Sequence, residues 1–314
     1  KQVNMTKPYL SRRDFLKTLT AFGLYSSLPL GCAKKSMQTV IISPQTISNK
    51  HSIGILNVTK QTKTNIPSDI LGHSIIQNPK DPHKFMMISQ RPGKVSCEFD
   101  LRTNMVIRYF KALDNRFFYG HGLYLPNSNH FICSEFGDTH GYITIRDTAT
   151  LKVEAEFPSY GLGPHDLKLL PNNTQLIIAN GGLSNRSSTS DYEAGADFES
   201  KLSIVDIHSE TLVDQFVLKR PNLSMRHLYV SPSNHIAVGM KRYNTNEQTP
   251  PLLIKHKDKD YHVLEEPKDI ISKLNSVGLS VSISDTHNVV GVTCPGGNTA
   301  AFWNLETYEF LNAF

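Results

Sequence analysis

FYGHGLYLPN, residues 118–127, and GLGPHDLKLLPNN, residues 161–173, are two versions of one phrase. In each, a histidine after Gly or Pro opens a short run of alternating apolar residues that closes on Pro-Asn. The phrase recurs along the chain. GHSIIQNP carries His73, GHGLYLPN His121, PHDLKLLP His165 and RHLYVSPS His227, while a fifth version, LSVSISDT, has Ser280 in the histidine slot. A second apolar run follows each: FMMIS, HFICSE, QLIIAN, HIAVGM and NVVGVT. Alternating with these is a strand-like run that ends in a tight turn, FDLRT with Asp100, IRDTAT with Asp147, VDIHSET with Asp206 and FWNLET with Asn304. Asp or Asn suits such a hairpin because its short side chain can bond to the backbone two residues on.

The histidines are spaced by 48, 44 and 62 residues, with 53 more to Ser280. The longest interval holds LSNRSSTSDYEAGADFES, residues 183–200, a polar insert that reads as a surface loop. A period in the forties with four short strands per unit is the pattern of an all-β fold, the β-propeller. One antiparallel blade cannot bury both of its faces alone, so its neighbours supply the core. Five units lie between His73 and Phe314 and residues 39–66 supply strands of another, so a seven-bladed ring lacking its last portion is expected. A β-sandwich is the competing fold, but it would not explain the regular histidine phrase. Convincing amphipathic helices of three turns are absent from the pattern.

The 314 residues carry a formal charge of +5, which is unevenly placed. Residues 1–38 hold seven Lys or Arg against Asp14 alone, whereas the remainder is nearly balanced, so nothing in the charge argues for nucleic acid. That leader contains SRRDFLK at Ser11–Lys17, with the pair Arg12 and Arg13, followed by TLTAFGLYSSLPLGCA. A paired-arginine region, an apolar stretch and a small-residue exit are the parts of a twin-arginine export signal, which predicts a periplasmic location. The competing reading is a basic helix N-terminus of the folded domain. Residues 1–38 are thus expected to be a leader and residues 39–314 the propeller domain, with Met5 as a candidate start. Cys32, in LPLGC, resembles a lipoprotein attachment site, although Pro29 stands where a branched apolar residue is usual. No later run reaches the ~18 apolar residues of a membrane span. Cys97, Cys133 and Cys294 each lie in or at the end of a strand-like run and read as buried free thiols, with one disulfide as the alternative.

In a propeller the first strand of every blade lines the central channel. His73, His121, His165 and His227 would therefore gather at one mouth of it, however far apart they stand in sequence. Neutral imidazole suits copper, iron or zinc, and Asp166 could orient a ring by accepting its second N–H. Arg91, Arg116 and Arg226 lie in or near the same phrases and could instead recognise an anion by bidentate pairing. Glu135 and Asn180 end second strands near the channel, where a glutamate has the chemistry of an acid or base and a satisfied turn residue is the simpler reading. A structural reading of the histidines competes with the ligand reading. A Gly-His pair near the start of a repeat can bond within its own blade, and Asp100 and Asp147 follow His73 and His121 at 27 and 26 residues, as that version requires. His165 and His227, after Pro and Arg, do not fit it. His208, His256, His262 and His287 fall in polar turns and are expected in solvent, and Trp303 in inter-blade packing.

The order QRPG, FYGHG, GLGPHDLKLLP, IANGG and MRHLYVSP behind a twin-arginine leader resembles one bacterial family, domain of unknown function 1513. The resemblance runs from about residue 50 to the end. It implies a periplasmic seven-bladed propeller, encoded in many genomes beside iron-uptake and imelysin-type genes, with no established activity. On that pattern His73, His121, Gly163-Pro164-His165 and Arg226-His227 are the shared positions. The chain departs after IANGG, where family members usually continue with a Thr-His-Pro phrase and this insert has no histidine. The leading expectation is a protein that binds a metal ion, or an iron- or copper-handling partner, at a His-lined mouth. A metal-dependent redox or hydrolytic enzyme at the same mouth is the second reading, and an interaction scaffold with structural histidines the third.

Overall fold

The computed structural model describes residues 39–314 apart from 138, 184–198, 221, 244–248, 257–259 and 276. The leader and most of the 183–200 insert therefore lie outside the described residues. Strands form six consecutive antiparallel sheets. Sheet 1 has three strands, β1 (Val40–Ile47), β2 (Lys50–Asn57) and β3 (Thr62–Pro67). Sheet 2 comprises β4 (Gly72–Asn78), β5 (Asp81–Ser89), β6 (Val95–Asp100) and β7 (Met105–Lys111), and sheet 3 comprises β8 (Phe117–Tyr124), β9 (His130–Phe136), β10 (Gly141–Asp147) and β11 (Val153–Pro158). Sheet 4 holds β12 (Pro164–Leu169), β13 (Gln175–Asn180), β14 (Ser200–Asp206) and β15 (Thr211–Leu218). Sheet 5 holds β16 (Leu223–Val230), β17 (Ile236–Arg242), β18 (Leu252–Lys255) and β19 (Tyr261–Leu264). A two-turn helix, α1 (Lys268–Leu274), precedes sheet 6, made of β20 (Val281–Ser284), β21 (Val289–Cys294), β22 (Thr299–Asn304) and β23 (Phe310–Ala313). Each sheet is a simple meander, and its first strand lies against the first strand of the next sheet from β1 through β20. This is the architecture of a β-propeller, and six separate sheets rule out the sandwich.

The apolar pattern of the second strands explains how the blades stack. Successive side chains of a strand point to opposite faces. In β13, Leu176 and Ile178 join a core with Ile132 and Ile143 of sheet 3, while Ile177 and Ala179 join another with Met225 and Val238 of sheet 5. In β5, Met87 packs with Ile53 and Ile66 of sheet 1, whereas Met86 and Ile88 pack with Phe118 and Phe131 of sheet 3. A strand buried on both faces needs a continuous apolar run, which is what FMMIS and QLIIAN supply. Five inter-sheet cores result, the last joining Ala237 and Ile254 of sheet 5 to Val290 and Trp303 of sheet 6. The outer strands alternate instead, as in β7, where Met105, Ile107 and Tyr109 face outward.

The hairpins that close each blade follow the Asp/Asn signal. Asp100, Asp147, Asp206 and Asn304 each accept the backbone N–H two residues on, from Arg102, Ala149, His208 and Glu306. Cys97, Cys133 and Cys294 are free and buried, so no disulfide joins them. Burial pushes all three thiols up, to about 12, about 11 and about 12. Among the described residues, no helix is long and apolar enough to cross a membrane.

Candidate metal centre

The four strands that carry the histidines break register where the histidine stands. Against β5, Gly72 pairs with Ser89 and Ser74 with Ile88, which leaves His73 as an extra residue. His165 is extra in the same way, between Pro164 opposite Asn180 and Asp166 opposite Ala179. Arg226 and His227 are bracketed by Met225 opposite Met240 and Leu228 opposite Val238. Tyr119, Gly120 and His121 are bracketed by Phe118 opposite Glu135 and Gly122 opposite Cys133. The ladders between β1 and β2 and between β20 and β21, which carry no such histidine, are regular. A bulge bends its strand and re-aims a side chain, and here four of them present imidazoles to one point.

One nitrogen from each of His73, His121, His165 and His227 lies within 4.8 Å of the corresponding atoms of the other three. His73 Nε2 is 3.1 Å from His121 Nε2, and His165 Nε2 is 3.4 Å from His227 Nε2. Ring centroids of all six pairs fall between 4.8 and 6.1 Å. Metal–nitrogen bonds of 2.0–2.1 Å place tetrahedral ligand nitrogens about 3.3 Å apart, so the cluster needs only a small contraction around an ion. The approach is tight at Gly120, whose φ is +107°. A Cβ there would stand 2.6 Å from His73 Cδ2.

The own-blade pairing that the structural reading would use is not made. Asp100 is bound by Arg102, and Asp147 accepts N–H groups and the hydroxyl of Thr150 in its own turn. Neither takes the histidine that precedes it in sequence. The rings meet across sheets instead. Asp166 does orient a ring, but that of His121, whose Nδ1 lies 3.2 Å from Asp166 Oδ1. The same carboxylate accepts the N–H of Leu167 and of Leu228 and pairs with Lys168 Nζ at 2.6 Å. With Nδ1–H directed at Asp166, His121 turns the lone pair of Nε2 into the cluster, towards His73 Nε2, the second-shell arrangement usual around metal-bound imidazole.

Burial above all, then the charges of His121 and His227 and of Arg91 and Arg226, pushes His73 down to about 2. Burial and His121 bring His227 down to about 3 against the pull of Asp166, with Arg226 and Lys168 adding to the fall. Burial, Arg226 and His227 hold His165 well below the usual range. Burial acts to raise Asp166, but Lys168 and His121 outweigh it and keep the carboxyl ionised. These rings are therefore neutral at pH 7, the form that ligates a metal without releasing a proton.

The remaining candidates separate into two groups. Arg91 and Arg226 belong to the site. Arg91 Nη1 is 3.4 Å from His165 Nδ1, and Arg226 shares the bulge of His227. Arg116, Glu135 and Asn180 are committed elsewhere. Arg116 makes a bidentate pair with Glu156 at 2.7 and 3.0 Å and lies over the Tyr142 ring. Glu135, fully buried, accepts from Arg146 at 2.5 Å, from Thr144 at 3.0 Å and from the Leu113 N–H at 3.2 Å. Asn180 donates to Ser159 O and Ser203 Oγ and is a structural link. His208, His262 and His287 are exposed as expected, but His256 is half-buried and stacks on His235, ring centroids 4.3 Å apart. His235, passed over in the sequence because it opens an apolar run, is buried and pairs with Asp285 at 2.8 Å.

A β-propeller with four histidines converging from four successive blades is the class that fold and site define. The chain belongs to the family described as "Protein of unknown function (DUF1513)", whose model matches residues 67–314. No curated protein matches the sequence. Among solved structures, Kuenenia stuttgartiensis hydrazine synthase is similar with a TM-score of 0.63 at 13% identity, over 81% of this chain and 71% of that one. The β-propeller domain of Myceliophteria thermophila Cps50 (Swd1) is similar with a TM-score of 0.56 at 10% identity, over 91% of this chain and 88% of that one. At these identities the likeness bears on the fold alone.

Proposed function

We propose that this chain is an exported β-propeller that binds one transition-metal ion through His73, His121, His165 and His227. The observation that carries the reading is the convergence of four imidazole nitrogens within 4.8 Å, each delivered by its own bulge. Four neutral nitrogen ligands suit copper, zinc or iron rather than magnesium or calcium, which take oxygen. His73 and His227 are half-buried and would give access from the mouth, while His165 is 4% exposed and would anchor the ion from within. The twin-arginine phrase at Ser11–Lys17 supports a periplasmic location, and the family resemblance, through its iron-uptake gene neighbours, supports an iron-handling partner there. Binding rather than catalysis is the reading, since the cluster supplies metal ligands and Glu135, a carboxylate on β9, is paired with Arg146.

The test is metal content by mass spectrometry on full-length protein purified from the periplasm without chelators, beside a His121→Ala/His165→Ala double variant. Near-stoichiometric copper, iron or zinc that vanishes in the variant is the expected result. A folded wild type that takes up none of the three, even after exposure to each, would return the histidines to a structural role.

A further inference from the structure

Two arginines, Arg91 and Arg226, stand beside the four-histidine centre. Arg226 is 6% exposed, and its Nε and Nη1 meet no hydrogen-bond acceptor. Its guanidinium carbon stands 5.9 Å from the centre of the Tyr243 ring, and Lys241 Nζ lies 4.8 Å from the same ring. Arg91, in the turn between β5 and β6, holds its guanidinium 4.9 Å from the centre of Tyr119, whose hydroxyl is used in a bond to Leu183 O. The positive charge of each arginine is felt at both His73 and His165, and that of Arg91 at Arg226 itself. The carboxylate at hand, Asp166, is already taken by His121, Lys168 and two backbone N–H groups.

A buried guanidinium without a counter-ion costs several kcal/mol, and an unpaired buried polar group in a native fold calls for a partner that completes it. The planar donor fork of arginine matches carboxylate and phosphate oxygens. Four neutral imidazoles would leave the charge of a bound cation unbalanced, so the same oxygens could reach the metal. We infer that Arg91 and Arg226 form the seat of a small oxyanion, of the carboxylate or phosphate class, that lies against the histidine cluster and shares the metal bound there. The seat rests on the arginines alone. The sharing rests on the metal reading above.

The experiment has two arms, both on the full chain. Oxalate and inorganic phosphate are titrated calorimetrically into chelator-treated protein, as wild type, Arg226→Gln and Arg91→Gln, with folding checked by circular dichroism. One site per chain is expected, for one or both anions, weakened at least tenfold in either variant. Oxalate as the tighter ligand identifies a carboxylate, and phosphate as the tighter one identifies a phosphate. No binding of either at millimolar concentration to folded wild type would overturn the seat, as would binding that both variants retain. Should Arg226→Gln not fold, Arg91→Gln, placed in a turn, decides alone. In the second arm phosphate is added to the copper(II)-loaded protein and the electron paramagnetic resonance spectrum recorded. A changed spectrum in wild type and an unchanged one in the variant are expected, whereas an unchanged wild-type spectrum would overturn the sharing. If copper does not bind while the anion still binds in an Arg-dependent way, the metal reading fails and the seat stands.

Discussion

Asp166 stands next to His165 in sequence, yet its carboxylate is bonded to His121, 3.2 Å away on the preceding sheet. Its other oxygen accepts the N–H of Leu228 on the following sheet at 2.8 Å. One side chain thus ties β8 and β16 to β12 and sets the tautomer of a ligand ring. Asp166→Asn keeps the size and an acceptor for Leu228 but removes the charge that holds the Nδ1 proton of His121. Copper or zinc affinity is expected to fall about 10- to 100-fold, read by competition with a chromophoric chelator. Equal affinities for the two proteins would show that the carboxylate does not orient a ligand.

Gly120 allows the His73 and His121 strands to approach. Its φ of +107° is costly for any other residue, and an added methyl would stand 2.6 Å from the His73 ring. Gly120→Ala is expected to destabilise the fold by about 1–3 kcal/mol from backbone strain and to displace His73. Denaturant midpoint and metal affinity should fall together. A variant that loses stability but binds metal as tightly as wild type would mean that His73 is not a ligand.

The propeller and the convergence were legible in the sequence for a single reason. A residue repeated at one point of a blade must return to one point of the ring, whatever the spacing, so His73, His121, His165 and His227 could be placed together without any contact being known. The bulges that aim them were not legible, because an extra residue in a strand leaves the apolar alternation on either side intact. The pairing of Asp166 with His121 was hidden too. The bulge at His165 breaks the regular alternation there, so sequence adjacency does not tell which ring the carboxylate meets. Spacing also misled where it offered Asp100 and Asp147 as histidine partners. Both are used by their own turns. Glu135 and Arg116 looked available only because Arg146 and Glu156, their partners, lie 11 and 40 residues off.

Glu135 and Arg146 form an ion pair with both side chains at or below 3% exposure. Removing one partner of a buried pair leaves the other charge uncompensated, at about 3–5 kcal/mol. Glu135→Ala should therefore lower the unfolding free energy by that order while the metal content of the folded fraction stays at the wild-type level. A fall in metal content per folded molecule would put Glu135 back in the site.

Glu266 supplies a pH effect away from the histidines. Burial and the charge of Glu265 push its carboxyl up to about 7, and neither oxygen meets a donor on another residue. Between the usual carboxylate range and pH 7 the folded protein keeps a proton that the unfolded chain releases, so stability falls as pH rises through that window. Glu266→Gln removes the titration. It should match wild type near pH 4 and exceed it in denaturant midpoint near pH 8, and a constant difference at both pH values would count against a buried, protonated Glu266.

The histidine cluster predicts the opposite slope in chelator-treated protein. His73, at about 2, and His227, at about 3, stay neutral in the fold, and His165 is held well below its usual range, while in the unfolded chain all three titrate near 6.5. Above pH 6.5 neither state carries the protons and the contribution to stability is complete. As pH falls from 6.5 towards 3 the unfolded chain takes up protons that the fold refuses, and stability is lost. Each such ring adds up to about 1.4 kcal/mol per pH unit to the slope. Replacing His227 by Gln should flatten the decline by one ring's share, measured as unfolding free energy at pH 7, 6, 5 and 4. A bound metal should steepen the dependence further, because acid must then displace the ion before the fold gives way. Wild type and His227→Gln declining in parallel without metal would mean that His227 accepts a proton in the folded protein, against its lowered pKa.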